Sequence, residues 1–424
     1  MAQKLKFGNG TWATKEGSTL SYNDEGGNFK PLPFTTTRDS IATRVNKEGL
    51  IEVVGNDVPR IDYTDSAEGV LLLENAATNK FIYSEDFTQW SSLNLTVTSD
   101  YAISPSGKQD ASFITPSSGS NEHKIELVPS TQTNSQETFS VYAKPNGFDW
   151  LYLRTNINGS WSSGYANFNI TTGETDLLGS GFTSSSIEDA GNGWYRCSVT
   201  FSNRGNDPLQ IFSMPTSQSS SVSNGDGING ALIYAAQAEL GNLSSYIPTS
   251  GSTVTRQADT ASGSGNSEVF SDSQGVLFAN IAALADDATY KTITLNNNSA
   301  TDRIQISINS NYIYMSVRDN NVTQAFDGVS VTEATNFSKV AASYKVNDCN
   351  LWVNGFKVFT DTNASMPSGL SQINFDKGDG GDDFYGKTKE IGYYDTILTD
   401  EELEYLTSYR SLNELVTVLN LNEL

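Results

Sequence analysis

Length, composition and charge limit what this protein can be. The chain has 424 residues, which is too long for one ordinary domain, so two or three domains are expected, each able to bury its own core. The 35 glycines, 11% aromatic residues and only 18% charged residues are typical of β-sandwiches and β-barrels. The formal net charge of −23 would repel nucleic acid and anionic membranes, although an acidic surface also serves solubility alone.

The first residues and the cysteines limit compartment and thiol chemistry. The sequence opens without the apolar stretch of a secretory signal, and it holds no run long enough to cross a membrane. We therefore expect neither classical export nor membrane insertion. Cys197 and Cys349 are too few and too far apart for a disulfide framework or a zinc site. Cys197 alternates with Tyr195 and Val199, which predicts a buried free thiol.

Residues 1–80 contain short β-like pieces separated by glycine and asparagine turns. Too few apolar residues occur there for a large core. We expect a small N-terminal docking or capping region, which contact with a partner chain would complete.

From residue 81 to residue 259 the sequence changes to regular strands with turn clusters between them. Residues 138–143 alternate apolar with polar at a period of two, as a half-buried strand does. Further strands are predicted at 150–154, 194–201 and 232–240. Several short strands at this spacing predict a first β-sandwich of the jelly-roll type.

Small polar residues between Gly251 and Gly275 are typical of a flexible linker and predict a domain boundary near residue 260. Region 260–398 repeats the all-β pattern, with alternating apolar residues at 304–308 and 313–317. Asn354-Gly355 supplies the positive φ that a type I′ hairpin turn requires. These features predict a second β-sandwich.

Residues 399–424 break the β pattern. Thr399 and Glu402 fit a capping box, and leucines near helical spacing follow, namely Leu403, Leu406, Leu412, Leu415 and Leu419. The pattern predicts a C-terminal α-helix that begins at Thr399. Its leucines could dock on the sandwich or serve oligomer contacts.

The sequence argues against an enzyme. Retaining glycosidases need two carboxylates about 5–5.5 Å apart, and no apolar strand carries such a pair. The single histidine, His123, is expected at a surface or strand edge, and no Gly-x-Ser-x-Gly elbow is present for a serine nucleophile. We predict no catalytic residues and no required cofactor.

A glycine-rich acidic turn is the candidate metal site. Residues 376–383 contain Asp376, Asp379, Asp382 and Asp383, and calcium prefers such oxygen-rich loops. The alternative is a solvated acidic loop, because the spacing is not that of an EF-hand. Residues 224–230 form a similar but poorer candidate.

Three ordered motifs in region 81–259 resemble a carbohydrate-binding-module-like sandwich found in virion proteins of tailed phages. They are residues 83–90 (YSEDFTQW), 187–197 (IEDAGNGWYRC), and 245–249 (SYIPT) followed by 255–259 (TRQAD). Such modules usually carry tryptophan and glycine before a Gln-x-Glu sequence, where this chain has Ala235-Ala236. Region 275–409 is similar to concanavalin-A-like or laminin-G-like sandwiches, through KVAASYK (339–345), LWVNG (351–355) and FYGKTKEI (384–391).

The resemblance implies a structural virion protein, either a tail fibre or a head fibre, on the virion surface. It implies synthesis in the host cytoplasm, assembly as a homotrimer with other virion proteins, and contact with host-surface glycans. Rings that could stack on sugars are Trp161, Trp150 and Tyr152, of which Trp161 lies in a polar turn and either is exposed or folds back over the sandwich edge. The alternatives are a capsid decoration protein without a ligand and a polysaccharide depolymerase.

Overall fold

The structure is a computed structural model that describes residues 3–15, 18–22, 30–130 and 134–409. In these ranges the chain forms 35 strands, one 3-10 helix and one α-helix, so the predicted all-β class is confirmed. Across the same ranges, no helix is long and apolar enough to span a membrane.

The strands of the first half are β1 (Leu5–Gly8), β2 (Trp12–Lys15), β3 (Thr19–Tyr22), β4 (Phe34–Thr37), β5 (Ala42–Val45), β6 (Ile51–Val54), β7 (Arg60–Asp62), β8 (Val70–Leu73), β9 (Ala77–Asn79), β10 (Ser91–Leu93), β11 (Leu95–Ile103), β12 (Gln109–Pro116), β13 (Gly119–Glu122), β14 (Lys124–Leu127), β15 (Glu137–Asn146), β16 (Trp150–Arg154) and β17 (Tyr165–Asn169). The 3-10 helix spans Phe87–Gln89.

The remaining strands are β18 (Glu174–Leu178), β19 (Phe182–Asp189), β20 (Tyr195–Phe201), β21 (Leu209–Met214), β22 (Val222–Gly225), β23 (Gly230–Leu240), β24 (Val254–Arg256), β25 (Thr260–Ser262), β26 (Gln274–Ala283), β27 (Lys291–Asn296), β28 (Arg303–Asn309), β29 (Tyr312–Asp319), β30 (Val322–Ser330), β31 (Ser338–Lys345), β32 (Cys349–Val353), β33 (Phe356–Asp361), β34 (Gln372–Asn374) and β35 (Gly386–Tyr394). The helix α1 spans Asp400–Thr407.

Contacts divide the chain into two compact units. Unit 1 comprises Met1–Asp39, Gly55–Asn75 and Ala258–Leu424, and unit 2 comprises Ser40–Val54 and Ala76–Gln257. The division at Gln257 lies beside the predicted boundary near residue 260.

Unit 1 is a sandwich of antiparallel sheets. One sheet has eight strands in the order β33-β32-β31-β26-β35-β8-β7, with β1 also paired to β35, and the other has five in the order β30-β29-β28-β27-β34. A third sheet has the order β2-β3-β4-β25. The alternation predicted at 304–308 and 313–317 is confirmed, because Ile306 pairs with Met315 and both side chains are fully buried in the core.

The outer face of the eight-stranded sheet is covered by α1. Leu403 is buried there and Leu406 half-buried, in a cluster with Phe278 and Trp352. The Thr399 hydroxyl accepts from the Glu402 backbone N–H, and the Glu402 side chain accepts from the Thr399 N–H, so the predicted capping box is confirmed. Docking on the sandwich therefore accounts for the first two leucines, whereas Leu412, Leu415 and Leu419 lie outside the described residues.

The hairpin predicted at Asn354-Gly355 is also confirmed. Both residues have positive φ, 51° and 89°, and they join β32 to β33 with Val353 paired to Phe356. Only a turn with left-handed residues matches the twist of the two strands.

Unit 2 is a second sandwich. Its two six-stranded sheets have the orders β10-β14-β21-β16-β17-β18 and β11-β12-β23-β15-β20-β19, and their inner faces enclose one apolar cluster. Three strand pairs stand outside these sheets, β13-β22, β24-β9 and β5-β6. Cys197 is fully buried in the core as a free thiol, as predicted, and Cys349 is a buried free thiol in unit 1.

Residues 1–80 do not form the separate N-terminal region that the sequence suggested. Leu5 of β1 pairs with Tyr393 of β35, and Leu5 and Phe7 are buried in the core of unit 1. Residues 40–54 belong instead to unit 2. The physical reason is that segments too poor in apolar residues to build their own core complete the sheets of larger sandwiches.

The predicted linker is not a spacer. It contains β24 and β25, Ala261 is buried in the core of unit 1, and the Ser264 hydroxyl donates to the Leu32 carbonyl at 2.7 Å. Small polar residues here provide strand pairing and close packing.

Candidate functional site

The outer face of one six-stranded sheet of unit 2 carries the residues predicted to contact glycans. Along β16, Leu151 and Leu153 lie in the sandwich core. Because side chains alternate along a strand, Trp150, Tyr152 and Arg154 share the opposite face.

Tyr152 is a packing residue. Its side chain is 1% exposed, its ring stacks on Tyr165 at a centroid distance of 5.7 Å, and Phe212 meets it edge-on at 5.2 Å. Burial raises the pKa of the Tyr152 phenol to about 12. Since a ring without exposed surface cannot stack on a sugar, the structure corrects the prediction that Tyr152 contacts a glycan.

A polar segment, residues 215–221, hides this ring. The Tyr152 hydroxyl donates to the Ser219 carbonyl at 3.3 Å, and the Asn167 amide donates to the Gln218 carbonyl at 3.0 Å. We call this segment the covering loop. Trp150, at the other end of β16, is half-buried against the same aromatic cluster, so it also contributes mainly to packing.

Trp161 remains at the surface next to Arg154. The indole is half-buried, and the Arg154 guanidinium carbon lies 5.1 Å from its ring centroid and 5.0 Å from that of Phe212. Contacts of this length are cation–π interactions. Trp161 is therefore partly exposed, as Trp150 is, and Arg154 packs against its ring.

Arg154 is held by a chain of hydrogen bonds that involves four strands, β13, β14, β16 and β21. Its Nε donates to Gln210 Oε1 at 2.7 Å, and its Nη2 donates to Glu122 Oε1 at 3.0 Å. Gln210 Nε2 donates to Glu126 Oε2 at 2.5 Å, and Lys124 Nζ donates to the same oxygen at 2.9 Å. Arg154 itself is 8% exposed, so these bonds fix its orientation.

Glu122 is the acidic member of this group. It accepts from Arg154 and from the Ser221 hydroxyl of the covering loop. Burial alone would raise the pKa of the Glu122 carboxyl, but the Ser221 hydrogen bond and the Arg154 charge outweigh it and lower that pKa. We call Trp161, Arg154 and Glu122 the Trp161 corner; it offers an indole face beside fixed charged hydrogen-bonding groups.

Arg154 and Glu122 were not among the site residues predicted from the sequence. The signal for Arg154 was its position two residues after Tyr152 on a period-two strand, which puts both on one face. Nothing local indicates Glu122, because its partners Arg154 and Ser221 are 32 and 99 residues away along the chain.

His123 is not the surface or strand-edge residue expected from sequence. Its side chain is fully buried, with Nδ1 2.7 Å from the Asn94 carbonyl oxygen and Nε2 3.0 Å from that of Gly119. Both ring nitrogens are engaged with the backbone, so the imidazole serves as a structural cross-link between segments of unit 2.

The predicted calcium loop does not form a metal cage. Lys377 Nζ lies 3.9 Å from Asp379 Oδ1 and 3.8 Å from Asp382 Oδ2, so an ammonium stands where a cation would be required. Among the residues that the structure describes, no group of three or more His, Cys, Asp or Glu side chains is arranged to hold a metal ion.

The other two aspartates of that loop have different partners. Asp376 accepts from the Gly378 N–H, and Asp383 accepts from the Tyr385 hydroxyl at 3.0 Å. In the poorer candidate, Asp226 Oδ1 accepts from the backbone N–H groups of Ile228 and Asn229, each at 2.8 Å. These carboxylates stabilise turns, and the residues do not fit a calcium ion.

A cavity of about 340 Å³ lies elsewhere in unit 1, and most of its lining is apolar, including Val329, Val331, Phe337, Val353, Phe356 and Val358. None of the predicted site residues contributes to it.

The motifs that carry the family resemblance build the scaffold. The Ser84 hydroxyl lies 2.5 Å from the Tyr246 hydroxyl and accepts from the Thr249 N–H at 2.8 Å, so the first and third motifs pack together. Trp90 is buried, and its indole N–H donates to the Tyr83 carbonyl at 2.9 Å. The resemblance therefore depends on folding residues and is independent of the Trp161 corner.

Comparison with known proteins gives distant structural neighbours. No protein-family model and no curated protein sequence matches the chain. The chain is similar to the CBM40 of the Ruminococcus gnavus IT-sialidase bound to α2,3-sialyllactose, with 17% identity, a TM-score of 0.28, and coverage of 32% of this chain and 83% of that one.

Two further neighbours are larger. A leech intramolecular trans-sialidase matches with 16% identity and a TM-score of 0.27, over 33% of this chain and 24% of that one. The receptor-binding domain of botulinum neurotoxin type G matches with 13% identity and a TM-score of 0.26, over 35% and 41%. The match thus spans less than half of these two chains. Likenesses this distant carry no argument about the ligand of the present chain.

Proposed function

We propose that the protein is a non-enzymatic structural subunit of a tailed-phage virion appendage, a tail or head fibre, that contacts host-surface glycans through the Trp161 corner. A sugar presents a weakly apolar C–H face and a rim of hydroxyl groups. An aromatic ring accepts the face, and charged donors and acceptors bind the rim. The observation that carries the proposal is the partly exposed indole beside Arg154, whose guanidinium Gln210 and Glu122 hold in one orientation.

The virion role is supported by the sequence motifs of both sandwiches and by the absence of an evident acid-base pair in the Trp161 corner. Glu122 accepts from the Arg154 guanidinium and the Ser221 hydroxyl, and Glu126 accepts from the Lys124 ammonium and the Gln210 amide. The imidazole of His123 is buried. Homotrimeric assembly with other virion proteins belongs to the same proposal.

Binding of the full chain to an array of bacterial capsular polysaccharides, lipopolysaccharides and teichoic acids tests the glycan role. Replacing Trp161→Ala should weaken binding about tenfold, which corresponds to about 1.4 kcal/mol of lost stacking, whereas Trp161→Phe should retain most of it. The matched control is Tyr101→Ala, because Tyr101 is a 49% exposed ring of the same unit on the other six-stranded sheet.

Three outcomes would contradict the proposal. Silence across the array by the folded protein, together with binding to assembled capsids, would favour a decoration protein without a ligand. Equal loss in Tyr101→Ala would remove the Trp161 corner from the binding site. A fall in viscosity of a bound polysaccharide during incubation would show a depolymerase.

A further inference from the structure

The outer face of the five-stranded sheet of unit 1 carries a cluster of aromatic rings, none of which is a site residue predicted from the sequence. Tyr314, which is 5% exposed, is at its centre. The ring centroids of Tyr290, Tyr312 and Phe326 lie 6.4, 6.2 and 5.0 Å from that of Tyr314. Tyr290 is 51% exposed and Phe326 56% exposed. We call these four residues the tyrosine platform.

The register of three strands builds the platform. Tyr314 on β29 pairs with Ser307 on β28 and with Gly328 on β30. A Cβ atom at Gly328 would lie only 2.0 Å from the carbonyl oxygen of Ile313 and 2.6 Å from Tyr314 Cα. Position 328 therefore admits no side chain, and the residue paired with Tyr314 on β30 leaves the Tyr314 ring uncovered at that position.

Hydrogen-bonding groups surround the rings. Gln305 Nε2 donates to the Tyr314 hydroxyl at 3.3 Å, and the Tyr312 hydroxyl donates to Asp327 Oδ1 at 2.7 Å. Asp327 is exposed, so its carboxylate is accessible to solvent. Phe326 pairs with Ser316, another polar neighbour. Asp327 is paired with Met315 on the edge strand β30 and is reached there by the Tyr312 hydroxyl. The face thus combines exposed rings with hydroxyl and amide groups, and a carboxylate lies at its edge.

We propose that the tyrosine platform is a second glycan-binding face, on which a sugar ring stacks against Phe326 and Tyr290 while Asp327 accepts hydrogen bonds from its hydroxyl groups. The core of a protein–protein contact is depleted of charged residues and more apolar than this face, whereas a sugar needs both an aromatic surface and a polar rim. The inference rests on the proposed glycan role for its ligand class, but it concerns a different unit and different residues.

The same glycan array, probed with the full chain, tests this face. Phe326→Ser and Tyr290→Ser should each weaken binding to a subset of polysaccharides by about tenfold. Phe356→Ser is the matched control, because Phe356 is 72% exposed in the same unit but lies on β33 of the other sheet, and it should leave binding unchanged. All three substitutions remove exposed rings, so the urea midpoint of each variant should match that of the parent protein.

The two sites can fail separately. Loss in Trp161→Ala with unchanged binding in Phe326→Ser and Tyr290→Ser would overturn the tyrosine platform and leave the proposed function standing. Loss in the platform variants alone would support the platform and remove the Trp161 corner. If the folded parent protein binds no glycan on the array, both glycan-binding proposals are overturned. This holds even if the platform variants lose binding to a virion protein.

Discussion

Three buried charges in unit 2 form a cluster whose contribution to stability can be measured. Glu137 accepts from Lys80 Nζ at 2.8 Å and from Arg204 Nε at 2.8 Å. The three side chains are 2%, 5% and 0% exposed, respectively. Replacing Glu137→Gln removes the only anion of this triad and leaves two cations without a counter-charge in a low-dielectric interior.

Breaking a buried pair by removing one partner costs about 3–5 kcal/mol. With a urea m value of about 2–3 kcal/mol/M for a unit of this size, the midpoint should fall by about 1–2.5 M. Lys80→Met should cost about 1 kcal/mol or less, because Arg204 and Glu137 remain a balanced pair. Glu137→Gln should therefore cost more stability than Lys80→Met, because only the first leaves an unbalanced buried charge.

The assay is urea unfolding followed by tryptophan fluorescence, which reports mainly on unit 2 because Trp90, Trp150, Trp161 and Trp194 lie there. The control is Glu52→Gln in the same unit, since Glu52 pairs with Arg44 at side-chain exposures of 35% and 23%, and such pairs contribute at most about 1 kcal/mol. A loss below about 1 kcal/mol in Glu137→Gln, or a larger loss in Lys80→Met, would refute the charge-balance argument.

Two other predictions concern unit 2. The pKa of the Glu122 carboxyl is lowered in the folded protein, so the ionised carboxylate stabilises the fold above the ordinary pKa of a glutamate, and this contribution is lost as pH falls through the folded-state pKa. The urea midpoint of Glu122→Gln should therefore change less with acid pH than that of the parent protein. Parallel plots of midpoint against pH for the two proteins would contradict this prediction. Ala235 has a φ of 52° and is fully buried. Ala235→Gly should raise the free energy of unfolding by about 0.5–1 kcal/mol, because glycine adopts this left-handed conformation without strain. A lower free energy of unfolding in the same urea assay would show that packing of the Ala235 methyl group outweighs the backbone strain.

Features that depend on neighbouring residues could be predicted from the sequence. The Asn354-Gly355 turn, the Thr399 capping box and the alternation at 304–308 each need only a few adjacent residues, and the structure contains all three. The chemistry of such short segments favours their local backbone conformation, and tertiary packing then stabilises it.

Features that depend on distant partners could not be predicted. The pairing of Leu5 with Tyr393 has no local sign at either end. The apolar–polar alternation of β16 places Tyr152 on the outer face of its sheet, where a glycan could reach it. The covering loop that buries its ring, however, comes from residues 215–221. Sequence periodicity separates the two faces of a strand, but it does not show whether another segment covers the outer one.

The pairing of β1 with β35 has a consequence for biosynthesis. Roughly 390 residues separate the two strands, so at about 5–20 residues per second the ribosome needs about 20–80 s between them. Unit 2 has all its residues by Gln257 and can fold while synthesis continues. Strand β1 of unit 1 must wait without its partner β35, with apolar side chains such as Phe7 in contact with water, until the last sheet strand emerges. We expect nascent unit 1 to be the part of this protein that requires a chaperone.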